Sequence, residues 1–93
     1  MVKLNIDALT AVLANVAYIV EKRRTNVDRA FTSTCRRYKC SSSTMSREDF
    51  FTLAHAFISN YYFVKRVAEK AGRGSTSYRM LARLFVDLWR RKQ

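Results

Sequence analysis

The 93-residue chain carries 18 Lys and Arg against 7 Asp and Glu, a formal net charge of +11, and 48% of its residues are hydrophobic. That apolar fraction excludes a disordered chain, and the length suits one domain over residues 1–93. Two Gly and no Pro argue against sandwiches and barrels, which need many tight turns, so we predict an all-α fold of a few long helices.

The first predicted helix covers residues 6–23. Asn5 is placed to cap it, and Asp7 lies in the first turn, where the helix dipole favours a negative charge. The helix ends in consecutive cations, which suit its carbonyl end. Its apolar residues recur at helical spacing and predict one buried face, made of Leu9, Val12, Leu13, Val16 and Val20.

The second predicted helix begins at the sequence TNVD and ends near Lys39 or Cys40. Thr25 is the predicted N-cap, and Asp28 stands where a capping box places its acidic partner. Tyr38 falls on the apolar face, so it is predicted first as a core residue, with stacking on an unpaired base as the alternative. The whole face comprises Val27, Phe31, Thr34 and Tyr38.

The third predicted helix, residues 46–71, follows the polar loop SSST. Ser46 and Asp49 predict a capping box, and Gly72 suits the position after the helix end. Apolar residues continue in two adjacent seams along the helix, which predicts neighbours on two sides. The main seam has four–three spacing and consists of Phe50, Ala54, Phe57, Tyr61, Val64, Ala68 and Ala71.

The fourth predicted helix, residues 77–91, follows the loop GRGSTS, in which Ser75 or Thr76 can cap it. Its apolar stripe consists of Tyr78, Leu81, Phe85 and Leu88. The predicted architecture is a small bundle of four main helices around the aromatic-rich third helix.

The distribution of charge predicts a polyanion as the partner. Four of the seven acidic residues lie in predicted first turns, so few remain to pair with the cations. Arg outnumbers Lys by twelve to six, and its planar guanidinium can donate two hydrogen bonds to one phosphate. RNA is the predicted partner. The predicted contacts are Lys22, Arg23, Arg24, Arg29, Arg36, Arg37 and Lys39, with Arg47, Arg73, Arg79 and Arg83 as second choices.

No constellation for catalysis or for a cofactor is recognisable in the sequence. Cys35 and Cys40 are two ligands where a structural zinc needs four, and we predict that Cys35 is a buried thiol. His55 is the single His and has no evident catalytic partner. We therefore predict that the chain is not an enzyme by itself and has no catalytic residue, metal or cofactor. Few cysteines and short apolar runs predict a cytoplasmic location and no membrane partner.

Three motifs in this order resemble the NusB-like domain family: ALTAVL in the first helix, NVDRAF opening the second, and REDFFTLAHAFISNYYFVKR in the third. The similarity covers residues 7–67, and Ser59 and Asn60 stand where the family has a glycine. The family includes a bacterial transcription antitermination factor and the N-terminal domains of RNA five-methylcytosine methyltransferases. The resemblance implies an all-helical fold that binds RNA, either as an antitermination factor or as the substrate-holding domain of an rRNA or tRNA methyltransferase. In the second case a catalytic domain would follow Gln93.

Two other functions stay open on the sequence. The helices on either side of GRGSTS suggest a loose helix-turn-helix that would place Arg79 and Arg83 in a groove of DNA, although the turn is longer than usual. Alternatively, the positive charge serves a protein–protein interaction domain whose partner is acidic.

Overall fold

The computed structural model describes residues 6–72 and 77–91, and these residues form five α-helices and no strand. The prediction of an all-α fold is therefore confirmed. Arg73, Ser75 and Thr76, to which we assigned an RNA contact or a cap, lie outside the described residues, as does Asn5. The helices are α1 (Ile6–Arg23), α2 (Val27–Thr34), α3 (Arg47–Ser59), α4 (Tyr61–Lys70) and α5 (Tyr78–Arg91).

Helix α1 lies at the centre of the packing, where it contacts α2, α3 and α5. Its predicted bounds are confirmed, and its buried face includes the fully buried Leu9, Val12, Leu13 and Val16. The buried face of α1 therefore packs against three other helices. The prediction that the aromatic-rich helix is the centre of a four-helix bundle is therefore wrong.

The predicted third helix is two helices, α3 and α4, separated by Asn60. The backbone of Asn60 leaves helical geometry (φ −109°, ψ 15°), and its side-chain amide donates a 2.8 Å hydrogen bond to the carbonyl of Ala56. Asn side chains compete in this way with the backbone bonds of a helix. Because of the break, α3 packs against α1 and α2, whereas α4 packs against α5. Fully buried Phe57 joins the two parts, since its ring contacts both Tyr61 (5.8 Å between centroids) and Phe85 (5.3 Å).

Capping is confirmed at the start of α3 and corrected at the start of α2. The Ser46 hydroxyl accepts a hydrogen bond from the Asp49 amide, and the Asp49 carboxylate accepts one from the Ser46 amide. At α2 the N-cap is Asn26 and not Thr25, because the Asn26 side chain accepts a 2.9 Å hydrogen bond from the amide of Arg29. Asn is also the stronger N-cap of the two residue types.

Helix α2 ends at Thr34, several residues before the predicted end, and a disulfide follows it. Cys35 and Cys40 are bonded, with their Cα atoms 5.5 Å apart, so the prediction of a free buried thiol at Cys35 is wrong. The bridge closes the segment CRRYKC into a compact turn. Tyr38 consequently lies outside the helix and is 42% exposed, which overturns its predicted place in the core.

Candidate nucleic-acid interface

Seven exposed cations lie around the two ends and the outer face of α2. None of them forms an ion pair with a described residue, and both ion pairs found in residues 6–72 and 77–91 belong to Arg83. Their charged groups therefore face solvent, with no carboxylate of a described residue at ion-pair distance. We call this set the α2 cationic surface; its members are Lys22, Arg23, Arg24, Arg29, Arg36, Arg37 and Lys39.

The first part of this surface is the tight connection between α1 and α2. Lys22 and Arg23 form the last turn of α1, and Arg24 follows in the left-handed backbone conformation with φ 49°. Such a conformation after a helix end usually holds glycine, and it costs an L residue about 1–2 kcal/mol. The Arg24 side chain is exposed, so it is not held there by burial in the core.

The second part is the outer face of α2. Arg29 and Arg36 line one open depression together with Thr32 and Ser33. The helical path continues briefly beyond α2, since the amide of Arg36 donates a 3.3 Å hydrogen bond to the carbonyl of Ser33. Two residues seven apart along such a path share one face. Asp28 also lines this depression and is the one carboxylate there.

Arg47, a second-choice contact, lies beside the α2 cationic surface. It begins α3, and its guanidinium carbon is 5.7 Å from the centre of the Phe31 ring, within the range of a cation–π contact. A depression lined by Arg47, Phe31 and Phe51 also includes Thr32 and the two carboxylates Asp28 and Glu48, so it adjoins the depression that Arg29 and Arg36 line. The fold thus brings an arginine from a separate helix next to those of α2.

The third part is the segment CRRYKC. Its four central residues are exposed, whereas Cys40 is buried, with 6% of its surface accessible, and belongs to the core. The disulfide therefore fixes both ends of a four-residue turn against the protein body. Arg36, Arg37 and Lys39 are presented on that turn around Tyr38.

Tyr38 lines a groove between α1 and the start of α5, which we call the tyrosine groove. Its lining residues are Ala11, Ala14, Asn15, Tyr18, Tyr38, Ser77, Tyr78 and Arg79. The Tyr18 ring lies edge-on to the Tyr78 ring, 5.8 Å between centroids. The Tyr78 hydroxyl donates a hydrogen bond to the Glu21 carboxylate, and this bond, aided by burial, raises the pKa of Tyr78 to about 12. Arg79, another second-choice contact, lines the same groove as Tyr38.

Arg83, the remaining second-choice contact among the described residues, is already engaged in ion pairs. Arg83 forms ion pairs with Asp7 (3.5 Å) and Asp87 (3.8 Å), so its charge is partly compensated.

Sequence reasoning missed Asn15 and Tyr18 as site residues. Their three-residue spacing on α1 places them together beside its apolar face, but only the tertiary structure shows that the CRRYKC turn and α5 face them.

Comparison with known proteins gives no relative: no family model, no curated protein and no solved structure matches the chain. Across residues 6–72 and 77–91, no group of three or more His, Cys, Asp or Glu side chains is placed to hold a metal ion. In the same residues, none of the helices combines the length and the apolar character needed to cross a bilayer.

Proposed function

We propose that this chain is an RNA-binding helical module whose contact surface is the α2 cationic surface. The observation that carries the proposal is the concentration there of seven exposed cations without a carboxylate partner among the described residues. A polyanion that binds such a surface releases the counterions condensed along its own charges, which favours binding. Cations that are already paired with carboxylates offer no such gain in binding free energy.

Two features favour a single-stranded nucleic acid, such as unpaired RNA, over other polyanions. Five of the seven cations are arginines, whose planar fork suits phosphate oxygens. Tyr38 lies among them with 42% of its surface exposed, and exposed aromatic rings between cations are typical of proteins that bind unpaired nucleotides. Arg24 supports a role for the positive charge itself, because a cation occupies a backbone position that glycine would occupy at lower cost.

Within RNA-binding proteins, we propose kinship with the NusB-like domains. The support is the order of the three sequence motifs together with the all-helical fold. The chain would then be an antitermination factor or the substrate-binding domain of an RNA cytosine methyltransferase. A cofactor-binding fold encoded after Gln93 in the parent gene would support the second role.

The test is a fluorescence-anisotropy titration of a labelled single-stranded oligoribonucleotide over a series of salt concentrations. If about six phosphates are contacted, log K should fall against log salt with a slope of about −4 to −5. Replacing Arg23, Arg24 and Arg36 by Ala should weaken binding several-fold at low salt and make the slope shallower by about 2. Circular dichroism should show the fold unchanged, because all three side chains are exposed.

The matched control removes the same charge elsewhere. Arg66, Arg90 and Arg91 are exposed on α4 and α5 and are not part of the α2 cationic surface. Their replacement by Ala should alter affinity much less than the first triple variant. Equal losses in the two variants would mean that net charge, and not this surface, determines binding. Tighter binding of duplex DNA than of RNA in competition would favour the DNA function, and tight capture of an acidic protein with a shallow salt dependence would favour the protein-interaction function.

A further inference from the structure

We propose that the tyrosine groove binds an unpaired RNA base with an amino group at C4 of a pyrimidine or C6 of a purine, that is, cytosine or adenine. This inference rests on the proposed function and adds to it a site of base recognition next to the surface for phosphates. The recognition element is the side-chain oxygen of Asn15, and the stacking surfaces are the rings of Tyr18 and Tyr38.

The hydrogen bonds around Thr34 determine how the Asn15 amide is oriented. The fully buried Thr34 hydroxyl donates its one proton to the carbonyl of Ala30 at 2.8 Å. Toward Asn15 it can therefore only accept, so Asn15 presents its amide nitrogen to Thr34, at 3.0 Å. The amide oxygen of Asn15 faces away from Thr34, and no described residue donates a hydrogen bond to it. Asn15 thus offers the groove an acceptor whose orientation the core holds.

An acceptor discriminates among the bases. Cytosine and adenine have an amino group at the position where uracil and guanine have a carbonyl oxygen. Opposite the Asn15 oxygen, the amino group would form a hydrogen bond, whereas a carbonyl would leave two acceptors facing each other. The site therefore predicts a preference for cytosine over uracil, which have rings of the same size.

The aromatic residues of the groove suit stacking. Tyr18 and Tyr38 are 48% and 42% exposed, and the edge-on contact with Tyr78 holds the Tyr18 ring in place. Arg79 lines the same groove and forms no ion pair with a described residue, so it is available to a phosphate. The turn that carries Tyr38 also carries Arg36, Arg37 and Lys39, so one strand of RNA can reach both surfaces.

The experiment compares short labelled oligomers of cytidylate and uridylate by anisotropy at one salt concentration. The parent chain should bind oligocytidylate about fivefold more tightly, the effect of one hydrogen bond gained or lost. Asn15→Ala should remove this preference while leaving the affinity for oligouridylate unchanged. Cytidine monophosphate should compete only weakly, since it lacks the neighbouring phosphates; competition as strong as that of the oligomer would assign the groove to a free nucleotide and overturn the proposal.

Tyr38→Ala tests stacking and avoids the core, because Tyr38 lies outside the helices. It should weaken the binding of both oligomers about tenfold and leave the binding of a fully paired RNA duplex unchanged, while Tyr38→Phe retains affinity. Tyr62→Ala is the matched control, since Tyr62 is 81% exposed on α4 and does not line the groove. Equal losses from the two Tyr→Ala changes, or no loss from Tyr38→Ala, would overturn the stacking role.

The outcomes separate the two proposals. If the parent binds oligomers with the steep salt dependence given above but shows no preference for cytosine, base recognition by Asn15 is wrong and the RNA-binding function stands. If the parent binds neither oligomer nor duplex RNA, the proposed function is wrong and the groove proposal is wrong with it.

Discussion

Arg24→Gly should increase stability and weaken RNA binding at the same time. Arg24 adopts φ 49°, a conformation that costs an L residue about 1–2 kcal/mol and costs glycine little. Glycine loses more entropy on folding, which offsets about 0.4–1 kcal/mol of that gain. The expected net stabilisation is about 0.5–1 kcal/mol, which raises the Tm of a domain of this size by about 2–8 °C.

The same change removes one cation from the α2 cationic surface. Loss of one phosphate contact should make the slope of log K against log salt shallower by about 0.7 for a single strand. Thermal unfolding followed by circular dichroism measures the first effect, and anisotropy titration with an oligoribonucleotide measures the second. A higher Tm together with a shallower salt slope would show that the Arg24 side chain contributes to RNA binding while its backbone conformation lowers stability.

Arg24→Lys is the control for this prediction. It keeps both the charge and the unfavourable backbone conformation, so Tm and the salt slope should stay close to those of the parent. A lower Tm for Arg24→Gly would show that the left-handed turn after α1 is not as described. An unchanged salt slope in that variant would remove Arg24 from the RNA contact surface.

Three further predictions concern the fold that supports the site. Replacing Cys35 and Cys40 together by Ser should lower the free energy of unfolding by about 2 kcal/mol, because the bridge closes a loop of only six residues. Urea unfolding should also show that dithiothreitol destabilises the parent but not the variant. A parent that is insensitive to reductant would contradict this prediction. Phe57→Ala should lower the free energy of unfolding by about 3–5 kcal/mol in the same assay, since the Phe57 ring is fully buried at the junction of α3, α4 and α5. A loss below about 1 kcal/mol would contradict that packing. The pKa of Tyr78 is raised from 10.0 to about 12 by its hydrogen bond to Glu21, so the folded state holds this proton more tightly than the unfolded state does. The stabilisation is therefore full below about pH 10 and is lost between about pH 10 and 12. Tyr78→Phe should be less stable than the parent at neutral pH, with the difference disappearing over that range; a constant difference would refute the role of the hydrogen bond.

The sequence was sufficient to predict those features that depend on local pattern. The bounds of α1 and the capping box of Ser46 and Asp49 follow from apolar spacing and from side chains that satisfy nearby amides, and both are confirmed. The break at Asn60 was not predicted, because the apolar spacing continues across it while the backbone does not. The polar pair Ser59 and Asn60 in the middle of an apolar helix was the available signal, since Asn disfavours a helix interior.

The candidate site was predictable in its charges and not in its geometry. The cations next to α2 could be found from the sequence because most acidic residues lie in first turns of helices. The disulfide between Cys35 and Cys40 depends on how the chain turns after α2. The same turn places Tyr38 in the tyrosine groove, whereas its helical spacing predicted a core position. Asn15 gains its role only through Thr34, nineteen residues away in sequence. The cytoplasmic location stays a prediction.

The most direct test of the account is a nuclear magnetic resonance titration of the isotope-labelled chain with a single-stranded oligoribonucleotide at modest ionic strength. We predict that the amide signals that shift are those of residues 22–24, 29 and 36–39, with the side-chain amide of Asn15 among them. Signals of the exposed face of α4, around Tyr62, should stay in place. A titration that leaves the signals of the α2 cationic surface unchanged, or that shifts only those of α4, would contradict the proposed RNA-binding function.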